Sequence, residues 1–204
     1  MLIQIYSLED CTRYDPATSD NTSNYSFNKV VWNSASLTQS FTHDSTELAY
    51  KINNANVIGS NGCYYQTVLA EHSNTKFEIS MLTKSGTNGS VDIGFNLVNG
   101  TRGNAVYYRV TTGTRRFTKN TSNTNWSHAT SQDNGTVCTN IWIKHILTVD
   151  NLSFTYKVIN ASTEAVLWEY SNTFDSNLAG GDIGIVTGWD KYTHYIKDIK
   201  VKPL

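Results

Sequence analysis

Apolar and polar residues alternate over short runs along most of the chain, which is the pattern of half-buried β-strands. The run from Val91 to Leu97 is a clear case, because every second residue, starting with Val91, is apolar. No window carries the 3.6-residue apolar stripe of an amphipathic helix. The strands predicted in this way cover residues 2–6, 29–32, 48–52, 64–70, 76–82, 91–98, 105–111, 115–119, 141–149, 154–158, 166–170, 183–187 and 195–201.

So many strands must close into a barrel or pack as two sheets. The run 141–149 is apolar on both faces, whereas 91–97 should bury one face only, and this mixture favours an all-β, two-sheet antiparallel β-sandwich. Gly and Asn at 58–62, 85–89 and 99–103 supply the turns. No repeat or linker divides the chain, so we expect a single domain over 1–204. Residues 1–60 fit it only if the first strand pairs with the last.

Composition supports this expectation and excludes several partners. Thr, Asn and Ser make up about one third of the 204 residues, and only 16% are charged, which disfavours helical bundles. With a net charge of −1, the chain has no overall positive electrostatic field that would attract nucleic acid. No apolar run approaches the ~20 residues of a membrane span, so membrane insertion is not expected. The first residues lack the regions of a secretory signal peptide.

The charges are distributed unevenly along the chain. From Ile93 to Gln132 there is no Asp or Glu, and the cations of this segment are Arg102, Arg109, Arg115, Arg116 and Lys119. These residues are either solvated strand and loop positions or a patch that attracts an anionic ligand.

Three motifs in the second half occur in a recognisable order. They are W-x-x-x-x-L-x-V-D from Trp142 to Asp150, G-x-I-G from Gly181 to Gly184, and D-I-x-V from Asp198 to Val201. Over residues 137–202 this order resembles the concanavalin A-like lectin and glucanase group of jelly-roll domains, which includes laminin-G-like domains. The resemblance implies a concanavalin A-like jelly roll and a lectin-like activity.

Catalysis in this group would need clustered acids, which the sequence lacks. Glucanases of the group carry a Glu-x-Asp-x-x-Glu strand, whereas Glu71, Glu78 and Asp92 are isolated. The sequence also lacks the motifs that carry the catalytic residues of the related polysaccharide lyases. We therefore expect a non-catalytic protein, and the alternative is a divergent glycoside hydrolase or lyase.

Glycan binding uses aromatic rings, guanidinium groups and planar amides. Trp126 lies in a polar loop, and Trp189 with Tyr192 lies in the turn before the last strand. Together with Arg115 and Arg116 they are the candidate ligand-binding residues. We expect the loops around 115–128 and 188–192 to form one surface that prefers acidic or sulfated glycans.

The other aromatic residues have a structural interpretation. Trp32, Trp142 and Trp168 lie in strand patterns and are expected in the core. Tyr107 and Tyr108 must point to opposite faces of one strand. One of the two should therefore face outward.

Few residues of the sequence are candidates for metal binding or thiol chemistry. The resemblance implies a structural calcium ion between the first and last strands, with Asp10 and Asp198 as the carboxylate ligands. Cys11, Cys63 and Cys138 contain no C-x-x-C pair, so zinc is not expected. The thiols are either all buried or form one disulfide with a free thiol. No other cofactor is expected.

Two binding functions therefore stand beside the enzymatic alternative. The first is a glycan-binding or adhesion module for cell-surface polysaccharide. The second is a virion tail, fibre or capsid-decoration protein that contacts the host surface and other virion proteins, commonly as a homotrimer. Both place the protein outside the cell or on a virion surface.

Trp126 provides a direct test of the loop hypothesis. Because an exposed ring contributes to contact and not to the core, Trp126→Ala should cost about 1–3 kcal/mol of glycan binding while the melting temperature changes little. Calorimetry with glycans and a thermal melt measure the two quantities. A large loss of melting temperature with intact binding would show that Trp126 belongs to the core.

Overall fold

The computed structural model describes residues 12–14, 28–31, 39–54, 63–67, 75–86, 91–98, 102–120, 127–176, 179–188 and 193–204. Fifteen β-strands run through these ranges, and none of the ranges contains an α-helix. The strands are β1 (Thr12–Tyr14), β2 (Asn28–Val31), β3 (Gln39–Asp44), β4 (Ala49–Asn54), β5 (Cys63–Thr67), β6 (Lys76–Ser85), β7 (Asp92–Val98), β8 (Arg102–Arg109), β9 (Thr114–Asn120), β10 (Ser127–Gln132), β11 (Ile143–Asp150), β12 (Ser153–Asn160), β13 (Val166–Thr173), β14 (Asp182–Gly188) and β15 (Thr193–Pro203). Among the described residues, no helix is long and apolar enough to cross a bilayer.

The strands form two antiparallel sheets. One sheet has eight strands in the order β13-β12-β11-β6-β15-β4-β3, with β1 also paired to β15. The other has seven strands in the order β10-β9-β8-β7-β14-β5-β2. The predicted all-β, two-sheet sandwich is confirmed. Strand β1 pairs with the last strand, β15. The predicted first strand, residues 2–6, lies outside the described residues, so its pairing with the last strand stays a prediction.

Three strands were not predicted from the sequence: β1, β3 and β10. Of these, β3 and β10 are edge strands of their sheets. The sequence of β10 is Ser-His-Ala-Thr-Ser-Gln, which has almost no apolar residue. An edge strand can be held by backbone hydrogen bonds along one side and need not carry a full apolar face. Periodicity of apolar residues therefore could not reveal these strands.

Aromatic side chains join the two sheets through the core. Phe154 of the eight-stranded sheet lies 4.7 Å from Phe117 and 5.5 Å from Phe95, measured between ring centroids. Phe117 and Phe95 belong to the seven-stranded sheet, and Phe174 packs edge-on against Phe95 at 5.7 Å. All four rings are buried in one core cluster. Such tilted ring pairs add to the free energy gained from apolar burial.

The tryptophan predictions divide into three outcomes. Trp168 is buried in the core, as predicted. Trp142 is only half-buried, and the Nζ atom of Lys197 lies 4.0 Å from its ring centroid, so the prediction that it belongs to the core is wrong. The residue precedes β11 and is covered by a lysine instead of by the other sheet. Trp32 lies outside the described residues.

The central strands of the seven-stranded sheet are buried on both faces. Along β8, Val106 and Tyr108 point into the core cluster, and the intervening Ala105 and Tyr107 are also buried. Strand β6 shows the ordinary sandwich pattern, in which buried and partly exposed residues alternate. The outer face of β8 around Ala105 and Tyr107 is therefore more buried than the outer face of β6.

A polar network lies inside the core of the eight-stranded sheet. His145 is buried, with its Nε2 atom 2.7 Å from the Thr83 hydroxyl and its Nδ1 atom 2.6 Å from the Tyr156 hydroxyl. Burial lowers the pKa of His145 to about 3 and that of the buried His194 to about 4. Both rings are therefore neutral at physiological pH.

These two histidines predict how stability depends on pH. Both folded-state pKa values lie below the ordinary value of 6.5, so the unfolded chain binds more protons once the pH falls below 6.5. The stability that the two neutral rings contribute is fully present above pH 6.5. It is lost as the pH falls towards their folded-state pKa values of about 4 and about 3. Between pH about 7.5 and pH about 5, each histidine should cost on the order of 2 kcal/mol of unfolding free energy. Urea unfolding across this range measures the loss.

Two variants test the assignment. His145→Gln should remove about half of the pH slope, because His194 remains as the other buried histidine with a lowered pKa. His194→Gln should likewise remove about half, because His145 then remains. A wild-type profile that is flat between these pH values would contradict the prediction.

Candidate functional site

Small residues form a row across the outer face of the seven-stranded sheet. Gly184 pairs with Gly94, Gly94 pairs with Ala105, and Ala105 pairs with Thr118. The Thr118 hydroxyl donates a hydrogen bond to the Ala105 carbonyl at 3.2 Å. No side chain larger than threonine occupies these four positions.

Polar residues form the next row on the same face. Tyr107 pairs with Arg116, and Arg116 pairs with Ser131 on the edge strand β10. The guanidinium carbon of Arg116 lies 5.8 Å from the centroid of the Tyr107 ring, and its Nε atom donates to the Ser131 hydroxyl at 3.0 Å. Tyr107 is 6% exposed, whereas Arg116 is half-buried.

The electrostatics of Tyr107 identify its charged neighbours. Burial, and to a smaller extent the negative charge of Asp92, raise the pKa of Tyr107 to about 12, while the charges of Arg116 and Arg109 act in the opposite direction. Asp92, Arg109 and Arg116 are all half-buried. We call this group, with Tyr107 and Ser131, the Tyr107 site.

Arg109 has an unused hydrogen-bond donor at this site. Its Nε atom is buried and has no hydrogen-bond partner in the described part of the chain. An unpaired buried donor is unfavourable, and one on a guanidinium group is especially so.

The remaining cations of the acid-free segment have other roles. Arg102 donates to the Ala179 carbonyl at 3.4 Å, and Lys119 forms a 3.2 Å ion pair with Asp175. Only Arg109 and Arg116 of the five therefore meet at Tyr107. The sequence had no signal that separates these two from the others, because the distinction depends on which face each strand residue takes.

Arg115 and Arg116 point to opposite faces of β9, so they do not form one patch. The guanidinium carbon of Arg115 lies 5.8 Å from the Trp168 ring centroid, across the sandwich, and Arg115 donates to the Asp133 carbonyl at 3.3 Å. Arg116 lies on the outer face with Tyr107. As predicted, Tyr107 and Tyr108 also face opposite sides, and Tyr108 is the one in the core.

The two loops proposed to form one surface leave opposite ends of the sheet. Asn120 pairs with Gly103, next to the end of β7, whereas Gly188 lies beyond the pair of Val186 with Asp92, at the start of β7. Because β9 and β14 run in opposite directions, the strand directions do not support a surface made from both loops. Trp126, Trp189 and Tyr192 themselves lie outside the described residues.

The calcium and thiol predictions have partial outcomes. Asp198 lies in a bulge of β15 with φ 53°, and Asp10 lies outside the described residues. The described ranges hold no group of three or more His, Cys, Asp or Glu side chains suited to a metal. The calcium site stays a prediction. Cys138 is a buried free thiol, and the side chains of Cys11 and Cys63 are not described.

The Glu71–Glu78 pair does not form a described site. Glu78 forms a 3.1 Å ion pair with Lys202 on the eight-stranded sheet, and Glu71 lies outside the described residues. Glu78 is therefore a surface residue far from Tyr107 in the fold.

Solved structures share this fold at low sequence identity. The carbohydrate-binding module CBM66 from Bacillus subtilis has a TM-score of 0.59 and 12% identity, over 86% of this chain and 97% of that one. Arcelin-5, a lectin-like defense protein from Phaseolus vulgaris, has a TM-score of 0.58 and 10% identity, over 96% and 99%. A xylan beta-1,4-xylosidase from Bacillus halodurans C-125 has 0.58 and 6%, over 79% and 34%. No protein-family model and no curated protein matches the sequence.

Arg115 should contribute to stability. Arg115→Ala removes the guanidinium from the Trp168 ring and should cost about 1 kcal/mol of unfolding free energy. Arg115→Met keeps an unbranched apolar stem and should recover part of this loss. Urea unfolding of both variants measures the difference. An unchanged unfolding free energy in Arg115→Ala would contradict a stabilising contact with the Trp168 ring.

Proposed function

We propose that this β-sandwich is a non-catalytic glycan-binding module whose ligand surface includes the Tyr107 site, and that it prefers acidic or sulfated sugars. The observation that carries the proposal is the meeting of two half-buried arginines, Arg109 and Arg116, at one buried tyrosine. Lectins and carbohydrate-binding modules among the structures of this fold support a glycan as the ligand.

The charges of the site favour an anionic group. Two guanidinium groups face one carboxylate, that of Asp92, which leaves one net positive charge. Guanidinium groups bind carboxylate and sulfate oxygens through paired, charge-assisted hydrogen bonds. The buried Nε donor of Arg109 would gain an acceptor in the same step.

The neutral part of a sugar would be held by the other groups. Asp92 can accept hydrogen bonds from sugar hydroxyl groups, and the exposed Ser131 hydroxyl can both donate and accept. The row of small residues formed by Gly94, Ala105 and Thr118 runs beside these groups.

The arrangement supports binding more than hydrolysis. Glycoside hydrolysis needs two carboxyl groups on either side of the scissile bond, and Asp92 is the one carboxylate among the described residues of the Tyr107 site. The lectin and carbohydrate-binding neighbours favour the same conclusion. The xylosidase neighbour leaves hydrolysis as the alternative, and release of reducing sugar from a glycan that binds would establish it.

Attachment to a host or cell surface is the role that we propose for such binding, outside the cell or on a virion. The low charge and the Thr, Asn and Ser content suit a displayed virion component. A symmetric trimer in light scattering would support the virion role, because virion receptor-binding proteins commonly form trimers.

Arg116 provides the test of the binding site. Arg116→Ala should weaken binding of a sulfated or uronic oligosaccharide by about 1.5–3 kcal/mol, because a charge-assisted hydrogen bond is lost. Arg116→Lys should recover only part of it, since lysine lacks the planar pair of donors. The wild-type affinity should fall as salt increases. Calorimetry at two salt concentrations measures these effects.

Arg115→Ala is the matched control, because the adjacent side chain faces the core. Below its melting temperature it should bind as the wild type does. Equal losses of binding in Arg115→Ala and Arg116→Ala would place the ligand elsewhere. A neutral oligosaccharide that binds as tightly as its sulfated form would exclude the acidic preference.

A further inference from the structure

A groove crosses the outer face of the eight-stranded sheet, on the side of the molecule opposite the Tyr107 site. It has a volume of about 240 Å³ and runs over four neighbouring strands, β15, β6, β11 and β12. The bulge at Asp198 forms one wall, and the turn from Ala161 to Glu164 forms the other. Leu82 and Ile159 contribute aliphatic side chains to its lining.

The charged residues of this groove lack the ion pairs that most other lysines of the same sheet form. Five lysines outside the groove each form an ion pair, at 2.7 to 3.8 Å: Lys51 with Asp44, Lys76 with Asp150, Lys84 with Glu47, Lys157 with Glu169 and Lys202 with Glu78. The groove is lined by two lysines and two acids, which are Lys144, Lys200, Glu164 and Asp198. None of these four forms an ion pair with a described residue. Charges of both signs are thus held apart around one concavity.

One acid of the groove stands on backbone that its residue type rarely adopts. Glu164 has φ 58°. Gly, Asn and Asp adopt this left-handed conformation at lower cost, whereas Glu adopts it rarely. A carboxylate at residue 164 is therefore not explained by the turn.

The size and lining of the groove restrict its ligand. Its volume is below the ~300–1,000 Å³ of pockets that hold drug-sized ligands. The two ammonium groups attract an anionic group, and the two carboxylates attract a cationic group. Leu82 and Ile159 can pack against an aliphatic group. A ligand of one charge would leave one of the pairs without a partner, whereas a zwitterion satisfies both.

We propose that this groove binds a small zwitterion, an α-amino acid with an aliphatic side chain. Its carboxylate lies against Lys144 and Lys200, its ammonium group lies against both Asp198 and Glu164, and its side chain lies on Leu82 and Ile159. The proposal does not depend on glycan binding, because the Tyr107 site is on the other sheet.

Three probes of similar shape test the requirement for both charges. They are leucine, 4-methylpentanoate, which lacks the ammonium group, and 3-methylbutylamine, which lacks the carboxylate. Titrations followed by NMR at the Leu82, Ile159 and Ala161 methyl groups, in buffer with a calcium chelator, report binding at the groove. Leucine should give saturable shifts, and each analogue should bind at least about tenfold more weakly, since each loses one charged contact.

Variants test which residues are responsible. Lys144→Gln and Asp198→Asn should each weaken leucine binding by about tenfold, and Asn suits the left-handed φ of residue 198. Lys157→Gln, which alters an ion pair outside the groove, should leave binding unchanged. An unchanged amide spectrum away from the groove verifies the fold of each variant.

Three results would overturn the proposal. Equal affinity of leucine and either analogue would exclude recognition of a zwitterion. Shifts that do not saturate, or that fall outside the groove, would exclude a site here. Leucine binding that is unchanged in Lys144→Gln would show that Lys144 does not bind the carboxylate, which the proposal requires.

Discussion

The contact of Phe154 with Phe95 and Phe117 determines how the rest of the sandwich is arranged. Because these rings must meet between the sheets, Phe117 points inward on β9, and the alternation of a strand then sends Arg116 outward and Arg115 inward. The same alternation on β8 places Tyr108 in the core and Tyr107 on the outer face. The candidate site is thus a consequence of core packing on the other side of the same strands.

The two outer faces of the sandwich use charge differently. On the eight-stranded sheet most lysines pair with a nearby acid, and pairs of this exposed kind contribute little to stability. On the seven-stranded sheet the half-buried charges of Asp92, Arg109 and Arg116 lie around Tyr107. Partly buried charge costs more to leave without a partner than exposed charge does. The Tyr107 site is therefore the place where a bound anion would change the energy most.

The shared fold narrows the function without determining it. Sandwiches of this kind serve lectins, carbohydrate-binding modules and parts of hydrolases, as the neighbouring structures illustrate. A fold at such low identity identifies the scaffold, and function has to be argued from the groups placed on it. Here those groups are two arginines and an aspartate, which suit recognition of an acidic sugar more than cleavage of a glycosidic bond.

The sequence by itself determined the fold class and most of the strands, because alternation of apolar residues is a local property that survives in any arrangement of the sheets. It also identified the acid-free segment from which Arg109 and Arg116 come. The apolar pattern did not predict strands β3 and β10, since edge strands are held by backbone hydrogen bonds and need no apolar pattern. Tertiary structure alone decided that Arg115 supports Trp168, that Lys197 covers Trp142, and that β9 and β14 end on opposite sides. Each of these depends on which strands are neighbours and in which direction they run, and residues far apart in sequence carry no local signal of that.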